Sequence, residues 1–344
     1  MNIVMALIAL GFLIFIHELG HFWAARATGV RVEEFAIGFG PAIFKYKSKG
    51  IQYRLNWVPL GGYVRMYGED NPEAAAAPDN FNNRPIPARI LIICAGVIMN
   101  MIGAFVILAF LYNFYGSPTD KLFVQEVMAN TPAQEAGLKA GDQIVKADDQ
   151  VIKKYDNFRT EVTAHENQQM PLGIIRDGKE MTLQVTPRVI TDKVAVGFTP
   201  NVSSVFVKEG SFGDNTAKAI KDTGNLTYMM FDGFKKLVTG GVSFKELGGP
   251  VEIVRLTGQA SETGTPHFLY IVALLSVNLA VLNIMPFPAL DGGRLVFLIL
   301  EWIRRGKRIP VEREASINFI GILFLLTLMI IVTFKDVFNI FSQP

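Results

Sequence analysis

Long stretches without charge constrain this chain more than anything else in its sequence. Ile90–Thr119, Phe268–Leu290 and Ala315–Phe334 contain no Asp, Glu, Lys or Arg; neither does Met1–Ile16, whose apolar character runs on to Ala25. A helix rises 1.5 Å per residue, so about 20 apolar residues cross a bilayer core. Each stretch therefore reads as a transmembrane helix, the form in which a single segment satisfies its own backbone polar groups in hydrocarbon. Composition agrees. Half of the 344 residues are hydrophobic and 19% are charged, against about 25% charged in a soluble domain. That balance excludes a disordered chain, and a net charge of +2 gives no basis for binding nucleic acid. The lone cysteine, Cys94, cannot form an internal disulfide. The first stretch has no Lys or Arg before Arg26 and no clear small-residue cleavage site, so it reads as a retained span rather than a signal peptide.

Loop charges orient these spans. Arg31, Lys45, Lys47, Lys49, Arg54, Arg65 and Arg84 follow the first span, and Arg304, Arg305, Lys307, Arg308 and Arg313 precede the fourth. The positive-inside bias places both loops in the cytoplasm and both termini outside. The segment 120–266, with 17 Lys/Arg against 19 Asp/Glu, is then an outer, solvated region.

The first span contains His17-Glu18-Leu19-Gly20-His21, an HExxH pattern holding two of the four histidines in the chain. Residues four apart share a helix face, so both imidazoles can reach one metal ion while Glu18 stands beside its water. The plain alternative is a chance pattern at a helix end, but ionisable groups at membrane depth are expensive and usually partnered. A catalytic zinc commonly takes three protein ligands. Glu33 and Glu34 are candidates for the third, although solvated loop carboxylates need no such role. His267 sits near the outer side, at the wrong depth. His165 falls in the outer region, and Cys94 reads as a small hydrophobe. Asp291 is the best candidate. It lies in Asn283-Ile284-Met285-Pro286-Phe287-Pro288-Ala289-Leu290-Asp291-Gly292-Gly293, where prolines and glycines predict an irregular backbone of the kind tolerated in a membrane when it lines a cavity. His17 follows about 21 Å of inward-running helix, and Asp291 comes near the end of the third span, also inward-running. A helix cap at the interface is the plain alternative for Asp291.

These two motifs resemble the halves of the zinc site in the site-2 protease family of intramembrane zinc metalloproteases. The order of parts is similar to the bacterial regulator-of-sigma-E protease type. Gly38-Phe39-Gly40, Pro59-Leu60-Gly61-Gly62-Tyr63-Val64 and Phe81-Asn82-Asn83 extend the resemblance to nearly the whole chain. It implies Zn2+ held by His17, His21 and Asp291, with Glu18 as catalytic acid and base. It also implies Asn283 and Pro286 near the substrate, and Gln52–Met66 as a membrane-entering hairpin whose Gly61, Gly62 and Val64 meet an extended substrate. In this reading Gly61-Gly62 makes a turn, and the plain alternative is a cytoplasmic surface hairpin. Gly96, Asn100 and Gly103 share one side of the second span and are given a structural role, close helix packing and an interhelical hydrogen bond.

Residues 122–188 resemble a single PDZ domain, whereas some relatives carry two. Thr131–Leu138 and Gly141-Asp142 match its first helix region. Strands are expected at Gln143–Ala147, Leu172–Arg176 and Thr182–Thr186, a hairpin turn at Asp177-Gly178, and a helix over Asp156–Glu166. Such a domain either binds peptide termini or substrate outer domains by strand addition, or blocks bulky proteins. Helical stretches of mixed polarity over 214–260 lie on the outer membrane surface or pack as a small cap.

The expected architecture is a polytopic α-helical membrane protein of about four transmembrane helices, with a membrane-associated β-hairpin and an inserted α+β PDZ domain. Its parts are a first span with HExxH (1–27), a cytoplasmic loop and hairpin (28–88) and a second span (89–116). The outer PDZ domain (117–192) and an amphipathic segment (193–266) follow. A third span with the Asp motif (267–302), a cytoplasmic loop (303–314), a fourth span (315–335) and a tail (336–344) complete the chain. The expected function is zinc-dependent hydrolysis of peptide bonds within the transmembrane segments of single-span proteins such as anti-sigma factors, or within signal-peptide remnants. It takes place in the plasma membrane, with the active site toward the cytoplasm. The rival is a non-catalytic PDZ-bearing membrane receptor or chaperone, which has no use for Glu18.

Overall fold

The structure, a computed structural model, describes residues 2–69, 77–119, 121–152, 155–190, 193–201, 205–241 and 248–342. It divides into two compact units, one formed by 1–111 with 216–344 and the other by 112–215. The 70–80 stretch, with Ala74 to Ala77 and flanking prolines, reads from its sequence as a linker, and 70–76 lie outside the described residues.

In the first unit, four helices are long and apolar enough to cross a membrane: Ile3–Ala27, Ile86–Phe114, Thr265–Ile284 and Glu312–Phe338. They belong to α1 (Asn2–Ala27), α2 (Ile86–Phe114), α7 (Thr265–Ile284) and α9 (Val311–Ser342). The third charge-free stretch is not one helix. α7 ends at Ile284, the chain breaks across Met285–Leu290, and α8 (Asp291–Ile303) begins at the Asp itself. Pro286 and Pro288 lack the N–H a helix needs there. The break folds tightly on α8: a Cβ at Gly292 would overlap the carbonyls of Ile284 and Met285, and one at Gly293 that of Phe287. It is also anchored on α9, where the Ala289 N–H donates to Asn318 at 3.2 Å.

Between α1 and α2 the chain forms a long hairpin, β1 (Val32–Ser48) and β2 (Ile51–Met66). Its turn is at Lys49-Gly50, where Ser48 pairs with Ile51 and both turn residues have positive φ, as a two-residue hairpin turn requires. The tip of the hairpin is therefore not at Gly61-Gly62, which lie within β2, but the chain does double back just before Gly62: Gln52–Leu55 runs in the same sense as Glu34–Ile37 and Gly62–Arg65 in the opposite sense, with Gly61 at φ +99°. Glu34–Ile37 has Gln52–Leu55 on one side and Gly62–Arg65 on the other. Gly62–Arg65 is thus an outer edge, paired only with β1 among the described residues. The near half of the hairpin packs Val32, Phe35, Val64 and Met66 against Phe22 and Ile92. The far half exposes Phe44, Tyr46 and Trp57. A short 3-10 turn (Phe81–Asn83) leads into α2.

Two ties hold the ends of this unit. Arg89, at the start of α2, forms a bidentate pair with buried Glu301 of α8 (2.9 and 2.6 Å), and Arg308 joins it at 3.2 Å. After α5 (Phe212–Val238), α6 (Pro250–Thr263) is capped from α9: buried Asp336 accepts from the N–H groups of Gly249 (3.0 Å) and Glu252 (3.1 Å).

The second unit contains β3 (Ser117–Thr119), β4 (Leu122–Val127), α3 (Pro132–Glu135), β5 (Gln143–Ala147), β6 (Gln150–Val151) and α4 (Tyr155–Ala164). β7 (Met170–Arg176), β8 (Lys179–Val185), β9 (Arg188–Ile190), β10 (Lys193–Ala195), β11 (Phe198–Asn201) and β12 (Val205–Val207) follow. Its main sheet runs β11-β4-β5-β7-β8, with β6 on β5. The Asp177-Gly178 turn joins β7 to β8, both residues at positive φ. Leu122, Ile144, Met170, Leu172 and Ile174 from the strands enclose Phe158 and Val162 of α4. This is the strand and helix order of a PDZ domain, with β11 at the sheet edge and the Phe198 ring tilted against Phe158 of α4, centroids 5.5 Å apart. The Gly141-Asp142 pair has a structural reason: the buried Asp142 carboxylate takes two hydrogen bonds from Arg176 (2.7 and 2.6 Å) and one from the Lys139 N–H (2.8 Å).

Candidate metal centre

The helical register of α1 turns His17 and His21 to one side, and the break after α7 delivers Asp291 to the same point. His17 Nε2 lies 3.0 Å and His21 Nε2 3.3 Å from Asp291 Oδ2, and the two nitrogens are 3.1 Å apart. Among the described residues, this is the group of His, Cys, Asp and Glu side chains whose donor atoms converge as a metal site requires. Both imidazoles are buried. Asp291 Oδ2 is itself buried without a well-directed hydrogen bond, although both nitrogens lie within ion-pair distance.

Zinc fits this donor set. Two imidazole nitrogens and one carboxylate oxygen are a common catalytic complement. Ligands about 2.0–2.1 Å from a tetrahedral ion lie roughly 3.3 Å from one another, close to the separations here. Three lone-pair-bearing atoms face each other in a buried space, an arrangement that a shared cation stabilises and that its absence leaves repulsive.

The second helix shapes the site. His21 Nδ1–H donates to the Ile92 carbonyl at 2.8 Å, which leaves Nε2 as the lone-pair nitrogen. A Cβ at Gly96 would overlap His21 Nε2 and come within 2.8 Å of His17 Nε2. Asn100 places its side-chain amide 3.2 Å from His17 Nδ1. Gly96 and Asn100 therefore face the histidines, and the interhelical hydrogen bond expected of this side of α2 falls on His17 itself. Their four-residue spacing, equal to that of His17 and His21, is the one signal they carry in the sequence, and it does not show which face of α2 meets α1.

A cavity of about 920 Å³ opens at the centre, its wall including His17, Glu18, His21, Gly61, Gly62, Val64, Asn283, Asp291 and Arg294. Glu18 packs directly on the hairpin, where a Cβ at Gly62 would sit 2.9 Å from its Cγ. Ile322, Leu325 and Leu326 of α9 form another wall. Arg294, one turn beyond Asp291, makes an ion pair with Glu69. Pro286 is exposed in the break and is not part of the wall. The other candidate ligands lie elsewhere. Glu34 is held by Arg54 and the Tyr63 hydroxyl, each at 2.7 Å, and Glu33 is exposed. His267 is at the far end of α7 from Asn283, and His165 belongs to the second unit, 3.7 Å from Asp148. Cys94, half-buried on α2, is not in the cluster.

Comparison with known proteins matches the description "Peptidase family M50" to residues 5–328. A Clostridium acetobutylicum protein named as a candidate zinc metalloprotease is 35% identical over 98% of this chain and 97% of its own. The regulator of sigma-W protease RasP of Bacillus subtilis is 32% identical over 99% of both chains. The zinc metalloprotease RasP of Bacillus licheniformis is 32% identical over 99% of this chain and 100% of its own. A solved PDZ domain of an SdrC-like protein from Listeria monocytogenes aligns with 24% of this chain and 88% of its own, at 20% identity and a TM-score of 0.22. With a match over nearly its whole length, an HExxH span and an Asp-bearing break meeting in one cavity, the chain belongs to peptidase family M50, the site-2 proteases, and is a zinc-dependent intramembrane protease.

Proposed function

We propose that His17, His21 and Asp291 hold the zinc, that Glu18 is the general base and acid, and that the substrate is the transmembrane segment of a single-span membrane protein. The observation that carries this reading is the convergence of the three donor atoms within 3.0–3.3 Å at the wall of a cavity that also holds Glu18. When bound, zinc supplies a Lewis acid that polarises a carbonyl and lowers the pKa of water. The Glu18 carboxylate takes the proton of the attacking water and returns it to the leaving amine nitrogen. Asn283, on the cavity wall, donates its amide N–H to substrate backbone or to the developing oxyanion. Pro286 acts by shaping the break that brings Asp291 to the site. The Gly62–Arg65 edge pairs with the unwound substrate strand, with Gly61, Gly62 and Val64 presenting backbone to it.

In this reading the centre lies toward the cytoplasmic side and the PDZ domain outside, as the basic loops suggest. The PDZ domain takes an extended peptide along the free edge of β11 beside α4. An anti-sigma factor and a signal-peptide remnant both have the single-span form that this site suits. Two substitutions test the assignment. Asp291→Ala is expected to lose most of the bound zinc, measured by metal analysis of the purified full chain. Glu18→Gln is expected to keep zinc and lose cleavage of a single-span substrate. Full zinc content in Asp291→Ala removes Asp291 from the ligands, and cleavage at the wild-type rate by Glu18→Gln removes Glu18 from the chemistry.

A further inference from the structure

The protonation of His17 has a requirement that nothing in the HExxH pattern supplies. His21 is settled by its neighbour: the Ile92 carbonyl can only accept, so His21 Nδ1 carries the proton and Nε2 offers the lone pair. His17 points the same nitrogen, Nε2, at Asp291 Oδ2 and at His21 Nε2. To offer a lone pair there, it too must carry its proton on Nδ1, which then needs an acceptor. The group at Nδ1 is the side-chain amide of Asn100. In the structure its Nδ2 lies 3.2 Å from His17 Nδ1, and its Oδ1 is buried with no hydrogen-bond partner. An NH2 group in that place can only donate. It would put the His17 proton on Nε2, aimed at Asp291 and blocking a ligand lone pair.

We propose that Asn100 is the positioning residue of His17, acting through its carbonyl oxygen: in the metal-holding state the amide is turned 180° about Cβ–Cγ, and Oδ1 accepts the His17 Nδ1–H. The turn exchanges two groups of nearly equal size and gives the buried oxygen a partner. Asn100 is fixed for the task. It is fully buried, and its backbone carbonyl accepts from Ser276 Oγ of α7 at 2.7 Å, so its helix is tied to the helix that leads to Asp291. The two histidines are then oriented by the same helix through different acceptors, a backbone carbonyl at Ile92 and a side-chain carbonyl at Asn100. Only the second can be removed by substitution.

The inference rests on His17 being a zinc ligand, and the test keeps the two apart. Zinc affinity of the full chain in detergent micelles is measured by competition with a chelator for wild type, Asn100→Asp, Asn100→Leu and Ser276→Ala. Aspartate has only acceptors, so Asn100→Asp is expected to stay within about threefold of wild type or to bind more tightly. Leucine has none, and loss of an outer partner of a metal-bound histidine typically lowers affinity by 10–100-fold. Ser276→Ala removes the hydroxyl hydrogen bond to the Asn100 backbone carbonyl without touching its amide and is expected to cost less affinity than Asn100→Leu. Weakening of Asn100→Asp by tenfold or more overturns the proposal, because the NH2 is then the group that matters. Wild-type affinity in Asn100→Leu overturns it as well, as does an equal loss in Ser276→Ala. Should Asn100→Leu fail to fold, Asn100→Ala takes its place, with the same 10–100-fold loss expected. Should His17→Ala bind zinc as wild type does, the ligand assignment itself is wrong.

Discussion

Gly96 sets two rules of residue chemistry against each other. Replacing a glycine inside a helix by alanine ordinarily stabilises the helix by about 1 kcal/mol. Here the added methyl would overlap His21 Nε2 and crowd His17. Gly96→Ala is therefore expected to lose zinc, by metal analysis, while the α2 amides keep or gain protection from hydrogen exchange. Retained zinc would show that the two imidazoles have room to retreat. At this scale the sequence was legible where spacing alone implies chemistry: His17 and His21 are four apart on a helix, and Asp291 stands in a proline- and glycine-rich break. It was not legible for Gly96 and Asn100. Their meaning depends on which face of α2 meets α1, and a helix without charge beyond Arg89 has no amphipathic stripe to disclose it.

Among the elements, the hairpin edge and the PDZ sheet give opposite kinds of support. The Gly62–Arg65 edge is open, and adjacent N–H groups along a strand alternate between partner and edge. Of two variants, Val64→Pro and Arg65→Pro, one therefore removes an outward donor. That variant is expected to cleave a helical substrate strongly more slowly, with zinc content unchanged. A matched substrate with Gly or Pro near the scissile bond should be less affected. Equal, wild-type rates for both variants on both substrates would exclude strand pairing. In the PDZ sheet, burial pushes the Asp142 carboxyl up, but Arg176 and the Lys139 N–H outweigh it and hold it below the usual carboxylate range. A carboxyl depressed in the fold contributes its full stability above the unfolded pKa, near 3.9, and loses it as pH falls toward the folded value. Proteolytic resistance of 112–215 in the full chain should thus decline below about pH 4. Asp142→Asn should be less resistant at neutral pH, by about 1–3 kcal/mol, and flatter in the acid window. The PDZ strands were legible because β-branched runs are punctuated by Asp-Gly and Gly-Asp. The Lys49-Gly50 turn was missed because the Gly61-Gly62 pair looks more like a turn than a lysine followed by glycine.

For the whole molecule, the charge-free stretches made four spans legible, but they could not show that one is interrupted. Apolarity reports what lies in lipid, whereas the break is set by prolines and by close backbone contacts that form only after folding. Orientation is testable with single cysteines in a Cys94→Ala background. Asn157→Cys is expected to react with an impermeant thiol reagent from outside the cell, and Lys307→Cys only after the membrane is opened; the reverse pattern would invert the placement of the centre. The cavity itself has one further consequence, for inhibitors. Beside Glu18, the hairpin offers the main chain of Gly61 and Gly62, with the Phe39 ring packed against Gly61. A compound gains affinity there through a chelating group joined to a row of amide-like donors and acceptors, not through substituents shaped to fill side-chain pockets. Compounds that share such a spine but differ in their decorations on this side should inhibit nearly alike, whereas decorations turned toward the α9 wall meet the side chains of Ile322, Leu325 and Leu326.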